Sequence, residues 1–290
     1  MPDTTNPRLY TQGWDDYELI DAGNGNKLER WGNLITIRPE VQAYFKPGKP
    51  FSEWQRLAHW QFIETDKHAG TWQALRDAAP KTWEISYRQL RLQLELTRFK
   101  HIGLFPEQRS NWDYISENLR ADGRFLNLFA YTGAASCSAR QTGAEALHVD
   151  SVKALITWAH TNMERSGLND IHWIREDALK FVERELKRGR HYQAIIMDPP
   201  AWGLGAKGEK WKLENKLEAL IEGAQGLLAK DGFLILNTYS PSISLAEITR
   251  LAHHYFAPQR CDIRELWMRT TTGKELYYGN VLRVASTKSR

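Results

Sequence analysis

Three strand-like runs in this chain each lead to an acid. Ala194-Ile195-Ile196-Met197 delivers Asp198, and Pro199, Pro200, Ala201 and Trp202 follow. Proline cannot extend a strand ladder, so the pair fixes a rigid turn that carries Asp198, two carbonyls and the Trp202 ring. A carboxylate beside an aromatic face suits a planar acceptor, with Asp198 orienting it or taking its proton and Trp202 stacking on it. In an in-line displacement, alignment alone supplies much of the barrier reduction. The plainer reading of Asp198-Pro199-Pro200 is a strand terminator. Ala146-Leu147-His148-Val149 ends on Asp150, placed to accept from two ribose hydroxyls as acids do in dinucleotide folds. The run 171–175 leads through Glu176 to Asp177, placed to accept from an exocyclic amine such as that of adenine. Asp177 also suits the N-cap of a helix beginning at Ala178, and a capping role is the alternative for Asp150 too.

The cleft these acids face is set by Arg124-Phe125-Leu126-Asn127-Leu128-Phe129, which runs into Ala130-Tyr131-Thr132-Gly133-Ala134-Ala135-Ser136. A strand, a turn and a helix of small residues bring backbone N–H groups close to a ligand. Only one glycine is present, so this is neither the Gly-x-Gly-x-x-Gly dinucleotide fingerprint nor a phosphate loop. An uncharged adenosyl group with an amino-acid tail fits better than a pyrophosphate.

These residues need a scaffold, and the pattern supplies one. Strands are expected at 124–129, 146–149, 171–175, 193–197 and 233–238, and helices at 134–141, 152–166, 178–187, 213–228 and 245–256. Such alternation builds a parallel sheet covered on both faces. Segments 260–267 and 277–285 read as a hairpin with no helix between them. An α/β sheet closed by an antiparallel hairpin is expected, of the Rossmann-like type found in methyltransferases. Residues 8–100 read as a small all-β domain. Its signals are a hairpin at Asp21-Ala22-Gly23-Asn24-Gly25-Asn26 and the period-two run Leu90, Leu92, Leu94, Leu96. The domain plan is a disordered tail at 1–7, the β-rich domain at 8–100 and an α/β domain at 101–290. Six of the twelve tryptophans precede residue 100. They serve as core packing or as a surface on which bases stack.

From about residue 101 to 285 the chain resembles the S-adenosylmethionine-dependent methyltransferase domain of bacterial large-subunit rRNA base methyltransferases. The resemblance rests on Phe105-Pro106-Glu107-Gln108-Arg109, on Asn127-Leu128-Phe129-Ala130-Tyr131-Thr132-Gly133 and on Val149-Asp150-Ser151. Asn162 with Ser166-Gly167-Leu168, Asp177-Ala178 and Asp198-Pro199-Pro200 complete it. The family favours aspartate where Glu107 stands. The resemblance implies S-adenosyl-L-methionine as cofactor and contacts to it from Gln108, Arg109, Phe129, Tyr131, Gly133, Asp150, Ser151, Asp177, Ala178 and Asp198. The residue pattern itself gives the catalytic roles to Asp198, Pro199, Pro200 and Trp202, and the resemblance implies rRNA as partner. The family's separate amino-terminal RNA-binding module is not expected here. Cytosine-C5 members attack the base with a cysteine after the fifth strand, whereas this chain has Leu236-Asn237-Thr238-Tyr239-Ser240-Pro241 there. A nitrogen acceptor, which needs no covalent addition, is therefore expected. Methylation of a small molecule or protein side chain is the alternative, as is an RNA assembly factor that binds cofactor without turnover.

Composition bounds these readings. The 290 residues are 42% hydrophobic and 26% charged, with a net charge of +4 that permits an anionic partner without requiring one. No run approaches a membrane span, and the start lacks a signal peptide's basic and apolar regions. Two cysteines make no disulfide framework, and the nine histidines show no metal spacing. A cytoplasmic setting and no metal are expected.

Overall fold

The computed structural model describes residues 7–65, 69–204 and 210–287. The expected disordered tail at 1–7 therefore falls, Pro7 apart, outside the described residues. The chain divides into two compact units. One comprises Tyr10–Gln108 with Trp267–Tyr277, and the other the described parts of Met1–Leu9, Arg109–Leu266 and Tyr278–Arg290.

After β1 (Arg8–Tyr10) come β2 (Tyr17–Gly23), β3 (Asn26–Trp31) and β4 (Leu34–Pro39), then α1 (Phe51–Leu57), β5 (Trp60–Glu64) and β6 (Gly70–Ala74). Strands β2 to β6 form one sheet in chain order, and β7 (Thr82–Tyr87) pairs with β8 (Leu90–Glu95) in a separate hairpin. The β2–β3 turn places Asn24 at φ 51° and Gly25 at φ 75°, the left-handed pair that a two-residue hairpin turn requires. This segment is not all-β, because α1 buries Trp54 completely. Trp14, Trp31, Trp54 and Trp60 are all buried, and each indole N–H finds an acceptor, such as Trp31 Nε1 donating to Thr36 Oγ1 at 3.2 Å. These tryptophans are core, and none of the four offers a stacking surface.

The α/β part continues with α2 (Arg109–Asn118), β9 (Arg124–Leu128), α3 (Ala134–Gln141), β10 (Glu145–Asp150), α4 (Lys153–Arg165), β11 (Ile171–Arg175), α5 (Ala178–Lys187) and β12 (Tyr192–Met197). A short hairpin, β13 (Trp202–Leu204) with β14 (Lys210–Lys212), precedes α6 (Leu217–Leu227), β15 (Leu228–Thr238), α7 (Leu245–Tyr255), β16 (Cys261–Arg269) and β17 (Glu275–Val284). The main sheet runs β1-β16-β17-β15-β12-β9-β10-β11. Strands β11, β10, β9, β12 and β15 are parallel, and β17 is antiparallel to β15, as the sequence led us to expect. The order reverses direction between β9 and β12, the switch point at whose carboxyl edge open α/β sheets bind ligands. Three features were not expected: β1 at the sheet edge, the β13–β14 hairpin, and a 3-10 turn at Leu213–Asn215 ahead of α6.

Strand residues alternate between the two faces. Leu126, Leu128, Ile195, Met197, Leu234 and Leu236 pack with Phe181 of α5, Leu220 and Ile221 of α6, and Ile248 of α7. Each such fully buried side chain contributes about 1.5–3 kcal/mol. On the opposite face Asn127, His148 and Asn237 are buried polar residues with partners on helices. Asn127 Nδ2 donates to Ser136 Oγ at 2.9 Å, which lies 3.1 Å from His148 Nδ1, and Asn111 Nδ2 donates to Asn237 Oδ1 at 3.1 Å. These bonds fix where α2 and α3 sit, and α3 starts at the turn that follows β9.

Candidate active site

The turn after β9 is strained and tightly held. Phe129 (φ 57°) and Tyr131 (φ 52°) are left-handed without being glycine, and Gly133 (φ 83°) follows. Each such non-glycine residue costs about 1–3 kcal/mol and persists only where its surroundings over-determine it. Here the Ala130 N–H donates to Val149 O at 3.1 Å and Gly133 N–H to Ala130 O at 3.1 Å. Tyr131 N–H donates to Asp150 Oδ2 at 2.9 Å and Asn162 Nδ2 to Thr132 O at 2.9 Å. Gly133 is required twice over, because a Cβ there would also lie 2.8 Å from Ala159 Cβ on α4.

Asp150, at the end of β10, is 9% exposed. Its Oδ2 holds Tyr131 and its Oδ1 accepts from Val152 N–H at 2.9 Å. Burial raises its pKa, against the pull of the Val152, Tyr131 and Ser151 N–H groups. A carboxylate offers about four lone-pair positions, so the same group that shapes the turn retains capacity for ligand hydroxyls. Exposed Ser151 follows it. Asp177 is the N-cap of α5, its Oδ1 accepting from Lys180 N–H at 3.1 Å, and Ala178 is buried as the first helical residue. The capping role weighed for Asp177 is the one observed.

Asp198 follows the last residue of β12, and its N–H reaches Leu128 O at 3.5 Å, joining the ends of β12 and β9. Pro199 is buried, and Pro200 O accepts from Trp211 Nε1 at 2.6 Å. The Trp211 ring lies 5.3 Å from that of Phe129, inclined at 57°. Trp211 thus ties the Asp198-Pro199-Pro200 loop to the strained turn. It is a site residue the sequence reading missed, and its only signal was an aromatic between lysines, Lys210-Trp211-Lys212. Trp202 pairs with Lys212 in the β13–β14 hairpin and is 50% exposed. Arg109 opens α2, with Nη2 3.2 Å from Asp113 Oδ2, and Gln108 ends a 3-10 turn in the other unit.

Neither cysteine has the character of a nucleophile. Cys137 is fully buried, and burial pushes its thiol up to about 12. Cys261 is half-buried, and burial likewise raises its pKa. Among the described residues no cluster of His, Cys, Asp and Glu could hold a metal, and no helix is long and apolar enough to cross a membrane.

A switch-point turn with no lysine or arginine from 129 to 136, and carboxylates at neighbouring strand ends, fits an uncharged nucleoside with a polar tail. Fold and site together define a Rossmann-like enzyme that binds a nucleoside cofactor. A family model for S-adenosylmethionine-dependent methyltransferases matches residues 55–253, and the chain belongs to that family. The crystal structure of a SAM-dependent methyltransferase from Agrobacterium tumefaciens matches with a TM-score of 0.89 at 34% identity, over 96% of this chain and 93% of that one. Ribosomal RNA large subunit methyltransferase K of Neisseria meningitidis serogroup B is 31% identical over 159 residues, 53% of this chain and 45% of that protein. Ribosomal RNA large subunit methyltransferase K/L of Chromohalobacter salexigens is 32% identical over 171 residues, 57% of this chain and 22% of that protein. The chain spans less than half the length of these curated relatives.

Proposed function

We propose that this protein transfers the methyl group of S-adenosylmethionine to a nucleobase nitrogen in large-subunit rRNA, in the cytoplasm. The observation that carries the reading is the junction at Trp211, which holds the Asp198-Pro199-Pro200 loop against the turn at 129–133. When bound, S-adenosylmethionine supplies an electrophilic methyl group on a sulfonium. In this reading Asp150 and Ser151 hold the ribose, and Phe129, Tyr131 and Gly133 line the amino-acid and sugar side. Asp177 and Ala178 face the adenine, and Arg109 completes the cofactor contacts. Asp198 orients the acceptor nitrogen and takes its proton, Pro199 and Pro200 hold that carboxylate rigid, and Trp202 stacks on the base.

Three observations support RNA and nitrogen over the alternatives. The relatives named above act, by their names, on large-subunit rRNA. Aromatic and basic residues interleave at Trp202, Lys210, Trp211 and Lys212, a composition suited to stacked bases and phosphates. A nitrogen has its own lone pair, so the buried, high-pKa Cys137 is no handicap. Within this reading, 8–100 is a small domain preceding the catalytic domain at 101–290. The test is nucleoside mass spectrometry of large-subunit rRNA from cells lacking the gene. A methylated base should vanish and return with the intact gene. An unchanged nucleoside profile would remove the reading.

A further inference from the structure

Trp14, Trp31, Trp54 and Trp60 of the β-rich unit are buried, whereas the loop between β4 and α1 exposes apolar side chains. Tyr44 is 84% exposed and Val41 78%, and Phe51 is 39% exposed at the start of α1. An exposed aromatic on a mobile loop would mean little, but this loop is fastened at many points. Gly25 N–H donates to Ala43 O at 2.7 Å and Asn24 N–H to Phe45 O at 2.8 Å, so the residues on both sides of Tyr44 are bonded to the β2–β3 turn. Further along, Asp21 gathers the Gly48 N–H (3.0 Å), the Lys49 N–H (2.7 Å), the Trp54 indole (3.1 Å) and the Thr272 hydroxyl (2.5 Å). Pro47 lies so close to Gly23 that a Cβ there would meet its nitrogen at 2.3 Å. The Tyr44 side chain is thus held out from an ordered backbone, its ring edge-on to that of Phe45 at 5.9 Å. A ring presented this way loses little entropy when a partner stacks on it.

Charge indicates the partner. Residues 41–52 contain two lysines and no carboxylate. Lys49 is paired with Glu53 at 2.6 Å, whereas Lys46 is exposed and has no ion pair among the described residues. An aromatic face with an unpaired ammonium two residues away is the combination that grips a base and its phosphate in single-stranded nucleic acid.

We propose that the loop at 41–51 is an RNA-docking surface on which Tyr44 stacks an unpaired base of the substrate while Lys46 contacts the adjoining phosphate. This rests on the RNA-methyltransferase reading and adds a second contact region to it. The probe is a fluorescent, unmodified transcript of large-subunit rRNA, titrated with the full chain by anisotropy. Tyr44→Ala should raise Kd roughly 5- to 150-fold, the range for loss of one stacked base, and Tyr44→Trp should restore binding. Lys46→Ala should reduce the slope of log Kobs against log salt by roughly 0.7, one single-strand phosphate contact. Melting temperature and S-adenosylmethionine affinity should not change in any of the three. Equal Kd for Tyr44→Ala and the parent overturns the inference while leaving the functional reading intact. A parent that does not bind the transcript removes both. A parent that self-associates and is made monomeric by Tyr44→Ala, with RNA affinity unaltered, reassigns the patch to a second copy of the chain.

Discussion

Asp150→Ala removes two short hydrogen bonds at once, from Tyr131 N–H and from Val152 N–H, each 2.9 Å. Bonds to a charged group contribute about 1.5–3 kcal/mol. The first of them holds Tyr131 at φ 52°, a conformation that relaxes once its anchor is gone. The lost ligand contact and the loosened turn act in the same direction, so S-adenosylmethionine affinity should fall by about 1.5–3 kcal/mol, or roughly 10- to 150-fold in Kd. Asp150→Asn separates the two roles. An amide has one acceptor oxygen, so its NH2 must face either the Tyr131 or the Val152 N–H, donor against donor. The asparagine variant should therefore bind nearly as poorly as the alanine variant. The pH dependence has a definite sign. Binding through the carboxylate needs its charged form, and burial raises its pKa above the usual 3.8. Affinity should therefore begin to fall on acidification at a higher pH than for a free aspartate, and Asp150→Ala should lack that limb. Calorimetric titration of parent and variants from neutral to acid pH is the assay. Unchanged affinity in Asp150→Ala, or full rescue by asparagine, would refute the reasoning.

Other outcomes follow from the same structure. Asp198→Asn should lower kcat by roughly 10²–10⁴, the usual contribution of a positioned acid–base group, with cofactor affinity nearly unchanged; full activity would exclude proton transfer by that carboxylate. Half-exposed Trp202 changed to alanine should raise the apparent KM for RNA, with stacking loss of about 1–3 kcal/mol; lost cofactor binding would make it a packing residue. Cys137→Ala and Cys261→Ala should both retain methyl transfer, and Cys137 should resist alkylation in the native state; loss of turnover in a folded, cofactor-binding variant would refute the nitrogen-acceptor assignment. Glu107 is 2% exposed, and burial raises its pKa from 4.5 to about 7. A group raised in this way contributes stability present below its unfolded pKa and lost as pH rises through the folded one. Glu107→Gln should therefore stabilise the protein by about 2–4 kcal/mol at pH 8 and very little at pH 4.5, read as melting temperature against pH.

The parallel core of the sheet was legible because its strands are continuous apolar runs bounded by glycine and proline, as in Ala194 to Pro200. The acids at the strand ends were legible because position alone singles them out. What Asp150 does for the turn was not, since two left-handed non-glycine residues leave no mark in composition. Helix α1 was missed because it is seven residues long and buries only Trp54. The β13–β14 hairpin has three-residue strands, too short for a period-two signal, so Trp211 entered the site unannounced. Strand β1 is recruited by partners more than 250 residues away in sequence, and no local pattern reports that.

The most direct test of the account is methyl transfer by the purified chain. The reaction would combine it with methyl-labelled S-adenosylmethionine and large-subunit rRNA from cells lacking the gene, followed by nucleoside mass spectrometry. The account predicts that label appears on a base nitrogen and is lost in Asp198→Asn. Label on C5 of cytosine, or no label on RNA from a chain that binds the cofactor, would contradict it.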